Sequence, residues 1–304
     1  MKSINLDTVI TNNTAVALGF FDGIHRGHQK IIKKAVENKN AISTVFTFNQ
    51  NPLENLKGRS PGRIITNEQK VNLLNEIGVE LLLSVDFEKV KNFTAEEFVK
   101  KVLVEKLNAK YLYCGFNFTF GKGGYADTKY LKELCNVYDI NLEVIQPVVV
   151  NEKIVSSTYI RQLIESGRVF EANKLLYKRF SINEIIIHGN KIGRILKTPT
   201  INQLLPSQVI KPKFGVYASV VKFDNVLTYG VTNIGVKPTV GSDYPLVETF
   251  MPEYNGEDIY GKRVEVSLLR FVRPEVKFDN LELLKNQILK DADCAKKSFV
   301  DCKK

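Results

Sequence analysis

No stretch of the sequence comes near the ~20 consecutive apolar residues that a membrane-spanning helix needs, so no membrane span is expected. The opening residues, Met1-Lys2-Ser3-Ile4-Asn5-Leu6-Asp7, lack the apolar core of a secretion signal. Cysteine is sparse: Cys114, Cys135, Cys294 and Cys302 form no C-x-x-C pair and no regular framework. Free thiols in a reducing cytosol are the expectation, and with them a cytoplasmic protein. Repeats and low-complexity tracts are absent, which argues against a stack of repeated units. Also absent is any block of one charge. The net charge of +10 divides into 25 Lys and Arg against 19 Asp and Glu in residues 1–183, and 18 against 14 in residues 184–304. An excess spread in this way suits an enzyme of polyphosphate substrates, and no nucleic-acid partner is expected.

What is present suffices for two domains: 304 residues, 44% of them apolar and 25% charged. Histidine is rare, three residues in all. Yet two of them stand together in Leu18-Gly19-Phe20-Phe21-Asp22-Gly23-Ile24-His25-Arg26-Gly27-His28. The apolar run at 15–18 reads as the end of a buried strand, and residues 29–36 have apolar positions at helical spacing. Strand, turn and helix in this order aim backbone N–H groups and the positive end of a helix at an anion. An imidazole pair beside such a helix start can stabilise charge growing on a phosphoryl group. His pairs also occur in exposed turns and in metal sites, but no Cys or third His lies nearby to complete a metal's ligand set.

Phe21-Asp22-Gly23 followed by His25-x-Gly27-His28 resembles the H-x-G-H nucleotidyltransferases. The double Phe at 20 and 21 is similar to their FAD synthetase branch, found in the bacterial bifunctional riboflavin kinase/FAD synthetases. The resemblance implies nucleotide contacts at Gly19, Phe20, Phe21, Asp22 and Gly23, and catalytic roles for His25 and His28.

Residues 41–48 read as a second strand, running into Asn49-Gln50-Asn51-Pro52, which shares only its last Pro with the family's Asp-Pro-His-Pro loop. Thr66 is an N-cap for a helix that stops at Gly78. A third strand follows at 81–85. Thr94-Ala95-Glu96-Glu97 fits a capping box leading into a helix over 98–107. Further strands fall at 111–114 and 142–145. This alternation predicts an α/β doubly wound parallel sheet, Rossmann-like, with ligands at the carboxyl ends of its strands. The loop Gly115-Phe116-Asn117-Phe118-Thr119-Phe120-Gly121-Lys122-Gly123-Gly124 interleaves glycines with aromatics that suit a flat ring, or equally a core. It resembles the family's G-x-[DN]-F-x-F-G segment, which implies ligand contacts at Gly115 and Asn117. Val155-Ser156-Ser157-Thr158-Tyr159-Ile160-Arg161 resembles the S-S-T-x-[IV]-R signature. Hydroxyls at a helix start, one turn before an Arg, suit phosphate, and Ser157 or Thr158 serves equally as a plain cap. The helix is expected to end at Gly167, with a short second one at 169–176.

Beyond 180–183 the pattern changes to short β runs at 185–187, 215–221, 227–231 and 264–269. These predict a small antiparallel β-barrel. A C-terminal helix carries Leu281, Leu284, Ile288 and Ala292 on one face. Gly189-Asn190-Lys191-Ile192-Gly193-Arg194 with Thr198-Pro199-Thr200-Ile201-Asn202 resembles the riboflavin kinase signature G-x-x-x-G-R-x-L-G-x-P-T-x-N, with Lys197 where Gly is usual. Backbone N–H groups along Gly189, Lys191 and Gly193 suit phosphate, and Thr200 and Asn202 offer hard oxygen ligands to Mg²⁺. The run from Gly230 to Gly241 is a family-like turn. Val247-Glu248-Thr249-Phe250 holds a carboxylate that the resemblance makes a general base, and that alone reads as an exposed strand residue. His188 matches no catalytic position of the family and reads as structural.

The resemblance covers the whole chain. It implies an FMN adenylyltransferase (FAD synthetase) domain in residues 1–182 and a riboflavin kinase domain in residues 183–304. ATP, riboflavin, FMN and FAD are then substrates and products, and Mg²⁺ the cofactor. Riboflavin would be phosphorylated with Glu248 as base. FMN would then attack the α-phosphorus of ATP in line, with His25, His28 and Arg161 steadying the charge. Three alternatives stand beside this: an FAD synthetase with a weak or inactive kinase domain, an adenylyltransferase for another phosphate monoester, and a basic nucleic-acid-binding protein whose affinity would fall steeply with salt. The oligomeric state is left open.

Overall fold

The computed structural model of the chain describes residues 1–50, 61–188, 200–236, 245–254 and 259–302. It divides into two compact units, Met1–Ser157 and Thr158–Lys304.

The first unit is built on six parallel strands: β1 (Lys2–Ile4), β2 (Thr14–Leu18), β3 (Ile42–Phe48), β4 (Leu81–Val85), β5 (Ala109–Gly115) and β6 (Asn141–Ile145). Their order in the sheet is β1-β4-β3-β2-β5-β6. Every residue of β2 is buried, as expected of a central parallel strand covered on both faces. Helix α1 (Arg26–Glu37) buries Ile31, Ile32 and Ala35 and packs on β2, β3 and β5. Val16 and Leu18 join a core that includes Phe98, Leu103 and Leu131. A small hairpin, β7 (Val149–Val150) with β8 (Lys153–Ile154), completes this unit's strands among the described residues.

Local chemistry sets the helix ends. In α2 (Asn67–Ile77) the Thr66 hydroxyl accepts from the Gln69 N–H at 3.1 Å, and the Gln69 side chain accepts from the Thr66 N–H at 2.8 Å. Gly78 ends the helix at φ 99°. Thr66→Ala is therefore expected to cost ~1 kcal/mol, seen as a lower urea midpoint for the first unit; an unchanged midpoint would show that the cap contributes nothing. Thr94 and Glu97 form the same reciprocal box at α3 (Ala95–Glu97). The helix expected over 98–107 departs from regular form. From Phe98 to Val104 it is a π-helix, which buries Phe98, Val99, Val102 and Leu103 together. The sequence pattern gives little sign of β1, three residues with only Ile4 buried. Nor is α4 (Thr128–Val137) among the expected elements; it is capped by Asp127 and buried through Leu131, Leu134 and Cys135.

Helix α5 (Ser157–Glu165) starts at the division between the units, and α6 (Val169–Leu175) follows it. The second unit's sheet is antiparallel: β9 (Ser181–Ile185), β10 (Thr200–Leu204), β11 (Gly215–Phe223), β12 (Val226–Gly235), β13 (Leu246–Phe250) and β14 (Arg263–Arg273). They run in the order β10-β13-β12-β11-β14-β9. A bridge between Ile187 and Asn202, with the Ile187 N–H on the Asn202 carbonyl at 2.8 Å, joins the two edges into a nearly closed barrel. The strand expected at 185–187 lies earlier, at Ser181–Ile185, because Ile182 pairs with Val266 in the core.

Inside the barrel the buried hydroxyls of Ser219, Thr232 and Thr249 form a row, at 2.7 and 2.9 Å, and Ser219 donates to the Gly230 carbonyl at 3.0 Å. Gly230 is required there, since a Cβ would lie 2.7 Å from Thr249 Cγ2 and 3.0 Å from Ser219 Oγ. The last helix, α7 (Leu281–Asp301), buries Asp291, Ala292, Ala295 and Phe299. Leu281 is 51% exposed, so the expected apolar stripe fails at its first residue and is met by Ile288 and Ala292, where the helix joins the β11–β12 core. Asp291 is neutralised by the Arg273 guanidinium, which reaches it at 2.8 and 3.0 Å.

Candidate functional sites

In the first unit the chain steps from β2 to β3 on one side, while β5 flanks β2 on the other. The crevice beyond the carboxyl ends of β2 and β5 is thus the switch point where α/β sheets take ligands. The turn after β2 opens there and holds an unusual backbone. Phe21, Gly23 and Ile24 have φ of 54°, 81° and 40°, and Phe21 and Ile24 are fully buried. Positive φ at a Phe and a β-branched Ile costs about 1–3 kcal/mol each and collects at functional sites. The turn delivers His25 as the N-cap of α1: its Nδ1 accepts from the His28 N–H at 3.3 Å. The two imidazoles stack, centroids 3.6 Å apart and 20° from parallel, and the Phe21 ring meets His28 edge-on at 5.3 Å. A Cβ at Gly27 would lie 3.2 Å from the His25 ring. No acidic side chain sits in the first turn of α1, so its positive end is left for a ligand.

Asp22 points inward: its carboxylate accepts from the Ile64 N–H at 2.9 Å and the Ile65 N–H at 3.3 Å. Its carbonyl accepts from the Ser157 hydroxyl at 3.0 Å, so Ser157 braces the turn from the start of α5. Ser156 precedes it, half-buried, and Thr158 and Arg161 follow on the same helix, within the second unit. Gly115 ends β5, with Asn117 exposed beyond it and Phe116 41% exposed. The aromatics of that loop divide. Phe118 and Phe120 stack at 5.7 Å and belong to the core, which leaves Phe116 as the face open to a ring.

In the barrel, Asn202, Glu248 and Asn233 lie side by side in register across β10, β13 and β12. Thr200 stands two residues before Asn202, on the same face of β10. Asn202 is 4% exposed, and its Oδ1 has no hydrogen-bond partner among the described residues. Asn233 donates to Glu275 at 3.0 Å, bringing a second carboxylate beside the row. Glu275 was not anticipated from sequence; it follows β14 in Arg273-Pro274-Glu275, which resembles no motif. Gly189, Lys191, Gly193 and Lys197 lie outside the described residues, as do Asn51-Pro52 and the turn at 237–241. His188 packs on Tyr260 at 4.1 Å. A cavity of about 710 Å³ opens elsewhere in this unit, between Phe170, Lys174, Lys222 and Arg270, and none of Thr200, Asn202 or Glu248 lines it.

Residues 7–159 match the family model of FAD synthetase, and residues 176–299 that of riboflavin kinase. The bifunctional riboflavin kinase/FMN adenylyltransferase of Buchnera aphidicola subsp. Schizaphis graminum is 36% identical, over 95% of this chain and 95% of its own. Its counterpart in Bacillus subtilis is 33% identical over 96% and 94%, and that in Escherichia coli K12 is 32% identical over 97% and 96%. A solved structure from Streptococcus pneumoniae, described as a macrolide-efflux protein, has a TM-score of 0.87 at 30% identity, over 97% of this chain and 98% of that one. Among the described residues no helix is long and apolar enough to cross a membrane. With both domains present in one chain, in order and over nearly the whole length of each relative, this chain belongs to the bifunctional riboflavin kinase/FMN adenylyltransferase family.

Proposed function

We propose that the chain makes FAD in two steps, phosphorylating riboflavin in residues 183–304 and adenylylating the FMN in residues 1–182. The observation that carries this is the joint match of both enzymes' family models to a single chain. In the first step the ribityl 5′-hydroxyl attacks the γ-phosphorus of ATP, Glu248 takes its proton, and ADP leaves. In the second step an FMN phosphate oxygen attacks the α-phosphorus of a second ATP in line, the bond to the bridging oxygen breaks, and pyrophosphate leaves. No covalent enzyme intermediate forms.

His25 is suited to this task. Because its Nδ1 accepts the His28 N–H, the ring proton of neutral His25 sits on Nε2, where it can be donated to a phosphate oxygen. His28 and Arg161 add donors for the growing charge, and Ser156, Ser157 and Thr158 line the phosphate end. Gly19 to Gly23, Gly115 and Asn117 flank the nucleotide, and Asp22 holds the turn from inside. In the barrel the oxygens of Thr200 and Asn202 fit Mg²⁺, since the buried Asn202 Oδ1 is an acceptor with no protein partner among the described residues. When bound, the ion neutralises charge on the transferring phosphates. Gly189, Lys191 and Gly193 complete the phosphate loop. We place this activity in the cytoplasm, without nucleic-acid or membrane partners. Macrolide transport is not adopted for this chain, because both family models name flavin enzymes.

Incubation with riboflavin, ATP and Mg²⁺, followed by chromatography, is expected to yield FMN and then FAD. Conversion of supplied FMN without use of riboflavin would reduce the reading to FAD synthetase alone. No flavin product from either substrate would overturn it.

A further inference from the structure

Lys70, on α2, is 4% exposed. Its Nζ meets the Phe20 carbonyl at 2.8 Å, the Phe48 carbonyl at 3.3 Å and the Thr47 hydroxyl at 3.4 Å, three acceptors for three N–H donors. It also sits 4.2 Å from the centroid of the Phe20 ring. Thr47 and Phe48 end β3, and Phe20 stands two residues beyond β2. The ammonium therefore ties together the carboxyl ends of the two strands next to the histidine turn. Burying an ammonium is costly, and packing alone would be served by a Leu or Met at this position.

The charge is nonetheless held under tension. Burial pushes the Lys70 amine down to about 8; the Asp22 carboxylate pulls the other way, and Arg63 lowers it further. These two are the charged groups acting on Lys70 among the described residues.

We infer that Lys70 is a positioning residue for adenylyl transfer: its ammonium fixes the Phe20 main chain against the end of β3, and so sets the turn that presents His25 and His28. The inference rests on the adenylyl-transfer reading of that turn. Phe20 O also accepts from the Thr47 hydroxyl at 3.0 Å, so this carbonyl keeps a partner when the amine is lost, while the Phe20 peptide gains freedom.

Two pH effects of opposite sign follow. Activity needs the charged amine, so FAD formation falls as pH rises through about 8. Stability moves the other way. The folded amine titrates below its unfolded value of 10.5, so between about 8 and 10.5 the unfolded state binds more protons and this group's contribution rises with pH.

The test measures FAD formation from FMN and ATP between about pH 7 and pH 9.5, on either side of the Lys70 titration, for the parent and for Lys70→Met, with riboflavin phosphorylation by the same chains as control. Met keeps the length of the side chain and removes the buried charge, so the variant is expected to fold, which its riboflavin phosphorylation at the parental rate would verify. At neutral pH it should lose ~10-fold or more in kcat for FAD formation, the scale on which slight misplacement of catalytic groups is felt. It should also lose the decline through about pH 8 that the parent shows. Thermal unfolding from about pH 8 to 10 should show the parent gaining stability relative to Lys70→Met. FAD formation by Lys70→Met at the parental rate, or a decline through that pH range that survives in it, would overturn the inference. A parent that makes no FAD would overturn the adenylyl-transfer reading, and this inference with it.

Discussion

His28→Ala is expected to stop FAD formation while leaving riboflavin phosphorylation at its parental rate. The loss should be ~10²–10³ in rate, as when one preorganised donor to a developing oxyanion is removed. The structure makes this a clean substitution. The cap on α1 is made by the main-chain N–H of residue 28 to His25 Nδ1, and alanine keeps that N–H. What disappears is the imidazole stacked on His25 at 3.6 Å and held edge-on by Phe21. The strained turn from Phe21 to Ile24 keeps its sequence and loses only the edge contact of the Phe21 ring with His28, and the kinase row of Asn202, Glu248 and Asn233 lies in a different unit. Chromatography of FMN and FAD reads both reactions at once. FAD produced at the parental rate would remove His28 from the site.

Glu248→Gln should have the converse effect. It keeps the size of the side chain but can no longer take a proton. General-base catalysis is typically worth ~10²–10⁴-fold, and riboflavin phosphorylation should fall by that much. The substituted side chain would remain between Asn202 and Asn233 in the cross-strand row, where an amide is no intruder, so the barrel should stay folded. Supplied FMN should still become FAD. If Glu248→Gln phosphorylates riboflavin as well as the parent, another carboxylate is the base. Glu275, joined to Asn233 at 3.0 Å, is then the first to test.

Much of this was legible in the sequence, and the reason differs from place to place. The strand ending at Leu18 and the Thr66 and Thr94 caps are local signals: apolar runs, and hydroxyls that act within a single helical turn. Their structural outcome follows from short-range chemistry. The doubly wound sheet and the barrel follow from the order of such signals. Less legible was anything set by long-range partners. Asp22, in a ligand-like motif, turns inward because Ile64 and Ile65 offer their N–H groups from 42 and 43 residues away. Lys70 carries no motif, and its role is set by the ends of β2 and β3, which close around its ammonium. Leu281 has the right helical spacing, yet α7 docks from Ile288 onward and leaves that first residue in solvent. Phe116, Phe118 and Phe120 are one sequence pattern with two fates, open face and core.

The hydroxyl row inside the barrel has a direction. Each hydroxyl carries one proton, and Ser219 spends its own on the Gly230 carbonyl. Its bond to Thr232 must then be one it receives, and Thr232, having given its proton to Ser219, must receive from Thr249. All three protons point from β13 through β12 to β11 and back to the main chain of β12. The barrel thus encloses a short, polarised wire whose oxygen-rich end is Thr249, the residue next to Glu248 in the chain. A group that needed to accept a proton from Thr249, rather than donate one to it, would have to reverse every dipole in the row and give up the bond at Gly230. The wall behind Glu248 therefore presents a lone pair of fixed orientation, set from two strands away by where Gly230 lets Ser219 place its proton.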